Sequence, residues 1–366
     1  MPARITVIFL LYNAKKTVQA LLTAVMRQTH PAFPETKQQA KWLDVIFVDD
    51  QSPDGTAAEL KSLLDRNTAL SHYMLVSNKP NLGLSKSLNK SLDMIKSPYV
   101  LTCHCDCIFG SEFYVANMLE LLEENPNAGA ITGQPLITPE KSIPFSEKVN
   151  LVANLMDIIP PATQDKLVPT GFAEGRCDAF RLDALRKAGL YDTKLRLAGE
   201  DQVLAARLRA CGYEIYQAPR QGYFLSASDE QNTLLKLVRH QRLFGRAHPY
   251  ILFKNSGTLA GITSQSAGAN RRTRALLRMQ QLVSTVVYVA VLLPLGLPLS
   301  TYLVPIALIF ACKAFIFRRH LISVKLSFME QVMFFAFQPV LDISYTIGLI
   351  QGVWLILTRS EAKPIS

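Results

Sequence analysis

Carboxylates stand where strands should end. Asp49-Asp50 close the apolar run Trp42–Asp50, and His104 with Asp106 closes a run that opens Tyr99-Val100-Leu101. In open α/β sheets, ligands bind beyond the carboxyl ends of the strands, so both pairs are candidate site residues. Asp106 and His104 offer an oxygen and an imidazole to a divalent cation. Mg²⁺ and Mn²⁺ favour oxygen ligands, and an imidazole suits Mn²⁺ better than Mg²⁺. Asp49 and Asp50 can accept from a base N–H and from ribose hydroxyls. Lys79 and Asn81 lie at another strand-to-helix junction, where a cation and an amide suit a nucleotide and Gly83 lets backbone approach closely. Glu200-Asp201 opens a helix, where the macrodipole keeps a carboxylate ionised. Arg242 and Arg246 sit on a basic helix, and guanidinium forks bind phosphate oxygens. Each has a blander reading: a packed histidine at 104, a turn aspartate at 106, capping acids at 49, 50, 200 and 201, a plain loop at 79–81, and arginines that only meet anionic lipid.

The elements that must position these groups follow from hydrophobic period. Short apolar runs without alternation predict buried strands at Ile5–Leu11, Trp42–Asp50, Tyr73–Ser77, Tyr99–Cys105, Gly129–Gly133, Gly175–Phe180 and Tyr213–Ala218. Helical spacing predicts helices at Thr17–Arg27, Thr56–Asp65, along the Leu84, Leu88, Leu92, Ile95 face, from Ser111 to Glu124, at Leu182–Ala188, Leu197–Ala210 and Glu230–Arg246. Lys141–Thr170 reads as irregular. Strands alternating with helices predict a mostly parallel sheet wrapped by helices, an α/β fold. Extended geometry turns Cys103, Cys105 and Cys107 to one face and His104 and Asp106 to the other. The cysteines then read as packing and not as a metal site.

The 366 residues carry a net charge of +10 and six cysteines, none in a Cys-x-x-Cys pair. The positive balance suits anionic partners, yet no basic-aromatic signature points to nucleic acid. No Gly-x-Gly-x-x-Gly follows the first strand, so neither nicotinamide nor flavin is expected. The mean hydropathy of +0.15 gathers its apolar share after about Leu282. Leu282–Leu299 and Tyr302–Phe317 approach the ~17–20 residues that span a bilayer and read as a membrane hairpin. Ser327–Leu357, broken by Pro339 and Asp342, reads as a kinked span or as an interfacial helix plus a short span. Arginines on both flanks of the hairpin place its ends, and the preceding domain, on the cytoplasmic side. The expected division is a catalytic domain over 1–256, a basic linker over 257–278 and a membrane-associated helical region over 279–366.

With these residues laid out, the chain resembles a family 2 glycosyltransferase of the GT-A fold, of the type attached to membranes by C-terminal helices. The resemblance covers about Ile5–Gly245. It rests on the order of Ile5–Asn13, Val48-Asp-Asp-Gln-Ser-Pro-Asp-Gly-Thr56, Asn78–Asn89, the strand ending Cys105-Asp106, Gly175–Leu185 with its Ala-Phe-Arg, and Gly199-Glu200-Asp201. It implies an inverting transfer from a UDP- or GDP-linked sugar to a lipid-linked or glycan acceptor near a membrane. It implies Asp201 as the base and Glu200 as an acceptor contact. It also implies Asp49, Asp50 and Asp106 on the nucleotide and Mn²⁺ or Mg²⁺ at Asp106; the residues themselves add Lys79 and Asn81 on the nucleotide, Arg242 and Arg246 on the diphosphate and His104 beside the metal. Two departures stand out. The family's Asp-x-Asp reads His104-Cys105-Asp106, and the Gln-x-x-Arg-Trp of processive synthases is matched only loosely by Gln241–Arg246. The rival classes are a nucleotidyltransferase, which lacks its Gly-rich Arg loop here, a degenerate membrane scaffold, and a transporter, for which Asp342 alone was a candidate ionisable group inside an apolar run.

Overall fold

The computed structural model describes residues 4–33, 42–67, 70, 72–136, 144–153, 166–173, 175–195, 198–225, 233–254, 270–291 and 298–358. The chain divides into two compact units: 1–138 with 160–228 and 256–266, and 139–159 with 229–255 and 267–366.

The first unit is built on strands β1 (Ile5–Leu11), β2 (Leu43–Asp49), β3 (Tyr73–Ser77), β4 (Tyr99–His104), β5 (Cys107–Phe109), β6 (Ala128–Leu136), β7 (Val168–Pro169), β8 (Cys177–Arg181) and β9 (Glu214–Leu225). Its helices are α1 (Val18–Met26), α2 (Thr56–Arg66), α3 (Leu84–Leu92), α4 (Tyr114–Glu124), α6 (Leu182–Lys187) and α7 (Glu200–Ala210). The sheet runs β3-β2-β1-β4-β8-β6-β9-β5, with β7 on β9. The half from β3 to β4 is parallel, as the sequence requires. The other half is mixed: β8 runs antiparallel to both β4 and β6, and β5 antiparallel to β9. The sheet is therefore less parallel than periodicity alone predicts.

Strand alternation divides the core in two. Ile5, Val7, Phe9 and Leu11 pack with Phe47, Leu101, Cys103 and helices α1, α2 and α4. Ile8 packs with Val48, Val100, Phe180 and helices α3, α6 and α7. Both faces are covered, which is why β1 and β2 read as unbroken apolar runs. Each fully buried Ile or Phe contributes about 1.5–3 kcal/mol, so the central strands make a rigid frame. β4 stops one residue earlier than expected, because Cys105-Asp106 form a turn. Cys103 and Cys107 are buried and Cys105 is only half-buried, so the strict alternation of the three cysteines fails at that turn.

The second unit holds α5 (Phe145–Ala153), α8 (Leu234–Lys254), α9 (Asn270–Val291), α10 (Leu299–Ser323) and α11 (Phe328–Leu357). α5 lies in the stretch expected to be irregular. α8 was expected within the first domain; it runs on through Pro249 and packs along α11. That contact is backbone-close: a Cβ at Gly245, Gly348 or Gly352 would strike the carbonyl of Tyr345, Arg242 or Arg246. Small residues four apart let helices approach this way. Lys148 on α5 pairs with Glu330 at 2.7 Å, and Glu330 closes a capping box with Ser327.

Among the described residues one helix, α11, is long and apolar enough to cross a membrane. The expected hairpin of Leu282–Leu299 and Tyr302–Phe317 is not supported as two such spans. The apolar part of α9 is the shorter Leu276–Val291. The run Tyr302–Phe317 contains Lys313, which is fully buried against Asp342 at 2.9 Å. Residues 292–297, within the first expected span, and most of the 257–278 linker lie outside the described residues.

Candidate active site

Asp49 and Asp50 end β2 side by side and do different work. Asp50 is 3% exposed, and its carboxylate accepts from the Leu82 and Gly83 amides, both at 2.8 Å, and from Asn78 Nδ2 at 3.0 Å. Its carbonyl accepts from Asn81 Nδ2 at 2.6 Å. Asp50 thus shapes the loop that feeds α3, and Gly83 in that loop has a φ of +78° that a side chain would strain. Asp49 Oδ2 accepts weakly from the Ser52 amide at 3.3 Å, while its buried Oδ1 has no partner. A buried acceptor without a donor is costly, and Asp49 is the one of the pair left open to a ligand. Asn81 is held by Gln51 and Asp50. Lys79 is exposed.

His104 and Asp106 flank the turn after β4, and both are half-buried. The His104 amide donates to the Arg176 carbonyl at 2.8 Å, while buried Nε2 has no partner. Burial pushes the imidazole down; Asp106 opposes this and Arg176 adds to it. A neutral imidazole is the form that ligates metals. Asp106 Oδ1 accepts from the weak thiol donor of Cys107 at 3.5 Å. Among the described residues no three His, Cys, Asp or Glu side chains gather to hold a metal. The donor set still fits Mg²⁺ or Mn²⁺, which take one or two protein ligands and complete their shells with phosphate oxygens and water. The cysteines are packing: Cys103 and Cys177, opposite each other in β4 and β8, bring their sulfurs to 3.2 Å without a disulfide. Burial pushes the Cys103 thiol up to about 11, which keeps it inert.

Glu200 and Asp201 form the first turn of α7, entered through Gly199 at a φ of +83°. They line a recess with Asp178, Gly175, Tyr191 and Ala173, floored by apolar residues of α3 and α7. Because β8 runs antiparallel to β4, its start at Cys177-Asp178 lies beside the carboxyl end of β4. Asp201 Oδ1 accepts from the Gln202 amide at 2.7 Å. Glu200 is 8% exposed. Burial first, and then Asp201, push its carboxyl up to about 8, which favours its neutral form. Asp178 is fully buried and accepts from the Gly175 amide at 2.6 Å.

The sequence reading missed Asp178 and Arg176. Asp178 had a signal: an acid inside an otherwise apolar strand, directly after the Gly175-Arg176 turn. Arg242 and Arg246 belong to the helical unit, where Arg242 Nε donates to Gln351 Oε1 at 3.0 Å.

The family model for Glycosyl transferase family 2 matches residues 6–188. Poly-beta-1,6-N-acetyl-D-glucosamine synthase of Staphylococcus epidermidis is 26% identical over 211 residues, covering 57% of this chain and 46% of that protein. The synthase of the same name from Staphylococcus aureus strain COL is 25% identical over 217 residues, covering 59% and 48%. The chain thus spans about half the length of the curated relatives it matches. In fold, it is similar to a mannosyltransferase from Pyrobaculum calidifontis solved with GDP-Man and Mn²⁺. The TM-score is 0.52 at 15% identity, over 97% of this chain and 88% of that one. The mixed α/β sheet flanked by helices is the expected GT-A-type architecture. With half of its length matched by the family model, the chain belongs to glycosyl transferase family 2.

Proposed function

We propose that the chain is an inverting glycosyltransferase that moves a sugar from a UDP- or GDP-linked donor to an acceptor hydroxyl near a membrane. The observation that carries this reading is the set of acids at one end of the sheet. Asp49 is at the end of β2, Asp106 follows β4, and Asp201 with Asp178 and Glu200 lies beside the start of β8.

Asp49 takes the base or ribose through its open oxygen, with Lys79 and Asn81 beside it. Asp50 acts on the nucleotide through the loop it holds. A divalent cation held by Asp106 and His104 would supply Lewis-acid stabilisation to the departing diphosphate. Asp201, ionised at its helix N-terminus, accepts the proton of the attacking hydroxyl. The acceptor oxygen bonds to the anomeric carbon as the sugar–phosphate bond breaks, and the electron pair leaves with the nucleoside diphosphate. One displacement from the face opposite the leaving group inverts the anomeric centre. Glu200 contacts the acceptor. Arg242 and Arg246 are proposed diphosphate contacts.

The matched synthases make polysaccharide biosynthesis, with an N-acetylglucosamine donor, the first assignment to try. α11 and the outward apolar residues of the helical unit, among them Val286, Leu308, Phe315, Ile350 and Trp354, support membrane attachment. The basic flanks support a catalytic unit on the cytoplasmic side.

The test is Asp201→Asn in membranes carrying the full chain. Thermal shift with UDP- and GDP-sugars plus Mn²⁺ should still report donor binding, while transfer falls by about 10²–10⁴-fold, the usual worth of a general base. Wild-type turnover in the variant removes Asp201 from the chemistry. A wild-type protein stabilised by no nucleotide sugar overturns the transferase reading.

A further inference from the structure

We propose that Asn89 is a positioning residue for the base, Asp201. Through the segment 190–195 it ties α7, which carries the base, to α3, whose start is set by Asp50. This deepens the reading above and rests on it.

α3 is anchored first on the nucleotide side. Asp50 holds the Leu82 and Gly83 amides at its start. The buried Asn78 side chain adds a second anchor: Nδ2 donates to Asp50 at 3.0 Å and to Ser87 Oγ at 2.9 Å, and Oδ1 accepts from Lys90 Nζ at 2.9 Å. Ser85 and Asn89, four apart, share another face of the helix. Ser85 Oγ donates to the Leu195 carbonyl. Asn89 Nδ2 donates to the Tyr191 carbonyl at 2.9 Å, and Asn89 Oδ1 accepts from the Tyr191 amide at 3.0 Å. One side chain thus brackets both backbone polar groups of a residue 102 positions away. Two bonds fix orientation where one would leave a swing.

The same segment is tied to α7. Asp192, 8% exposed, accepts from the Lys194 amide through Oδ1 and from Arg207 Nη2 through Oδ2, both at 3.0 Å. Arg207 stands two turns along the helix that Glu200 and Asp201 open. A helix is stiff over that length, so a shift of Arg207 carries Asp201 with it. The segment is also held under strain: Leu190 has a φ of +60°, a left-handed conformation that a bulky side chain disfavours. Strain of this kind persists where the surroundings over-determine it, and it gathers at functional sites.

The elements so joined meet at one place. Leu84 and Leu88 of α3, Tyr191, Glu200 and Asp201 line the same recess. Proton transfer to a base and in-line attack both depend on position, and a misplacement of about 1 Å costs on the order of 10²-fold in rate. The bracket fixes the span between the nucleotide side of α3 and the base on α7.

The test uses the full chain in detergent, with hydrogen exchange followed by mass spectrometry. Asn89→Ala removes the bracket. Amides of 190–195 and of 203–206 on α7 are expected to exchange roughly tenfold faster, with β1 and β2 unchanged. Asn89→Asp, which keeps an acceptor for the Tyr191 amide, should fall between the wild type and Asn89→Ala. Asp192→Asn, which turns an N–H toward Arg207, should loosen 203–206 as well. Affinity for UDP or GDP with Mn²⁺ should stay within about twofold, while turnover of UDP-N-acetylglucosamine or GDP-mannose falls roughly tenfold or more in Asn89→Ala. Unchanged exchange at 203–206 or unchanged turnover in that variant overturns the proposal. So does a nucleotide affinity that falls along with turnover, which is the mark of a general loss of structure. If Asn89→Ala does not fold, Asn89→Asp and Asp192→Asn decide by the same readouts. A wild type that binds neither UDP nor GDP strikes the transferase reading, while exchange measured without nucleotide still reports on the bracket.

Discussion

The two units treat buried charge in opposite ways. In the helical unit, Asp342 on α11 is matched by Lys313 on α10 at 2.9 Å, and Gln338 takes a further hydrogen of the same ammonium at 3.0 Å. In the sheet unit, Glu200, Asp178 and Asp201 line one recess, and among its described lining residues none is cationic. A matched pair serves packing: it closes the charge within the fold and asks nothing of a ligand. A buried acceptor such as Glu200 Oε2, without a hydrogen-bond partner, costs free energy that the fold tolerates where a ligand offsets it. The difference separates a region built to hold together from one built to receive something.

The largest expected effect sharpens the first half of that comparison. Lys313→Met leaves Asp342 buried without its cation, and breaking one side of a buried pair costs about 3–5 kcal/mol. The double change Lys313→Met with Asp342→Leu should recover most of that loss. Thermal unfolding in detergent decides it: a double variant as unstable as the single would show that the pair is not the matched unit described.

The second prediction probes the acidic recess through pH. Glu200 ionises near its ordinary 4.5 when unfolded and near about 8 when folded. Between those values the folded chain holds the extra proton, so this group's contribution to stability falls as pH rises from about 4.5 to 8 and levels off above. Glu200→Gln cannot ionise. It should match the wild type at pH 5 and exceed it at pH 8.5 by on the order of 2 kcal/mol. A stability difference that does not grow with pH would mean that Glu200 is not held protonated.

The smallest effect falls on packing alone. Gly348→Ala forces a methyl against the Arg242 carbonyl of α8, and overpacking of this kind costs about 1–3 kcal/mol. Its signature is a lowered unfolding temperature in detergent; an unchanged one would show that α8 and α11 are not in backbone-close contact.

Much of this was legible before any coordinates. β1, β2 and β4 announced themselves as β-branched runs, and the acids at 49, 50 and 106 stood out at their ends, because strand period and ligand position are both local signals. Helices α2 and α6 fell within a residue of their predicted bounds for the same reason. What could not be read depended on pairing partners. β8 reverses the sheet's direction, and nothing within Cys177–Arg181 says which neighbour it will take. Asp178 was hidden inside a strand for that reason. The distinct duties of Asp49 and Asp50 depend on amides over thirty positions away. Lys313 drew no reading of its own in the apolar run Tyr302–Phe317, since its partner lies on another helix. α8 looked like a short basic helix because its apolar continuation meets Pro249, which the pairing with α11 accommodates.

The grip of Asp50 on residues 78–83 has a kinetic corollary. A segment already fixed by four hydrogen bonds has little freedom left to surrender when a nucleotide arrives. Capture at that rim should resemble a key meeting a finished lock, with a single fast phase in stopped-flow traces and no slower rearrangement behind it.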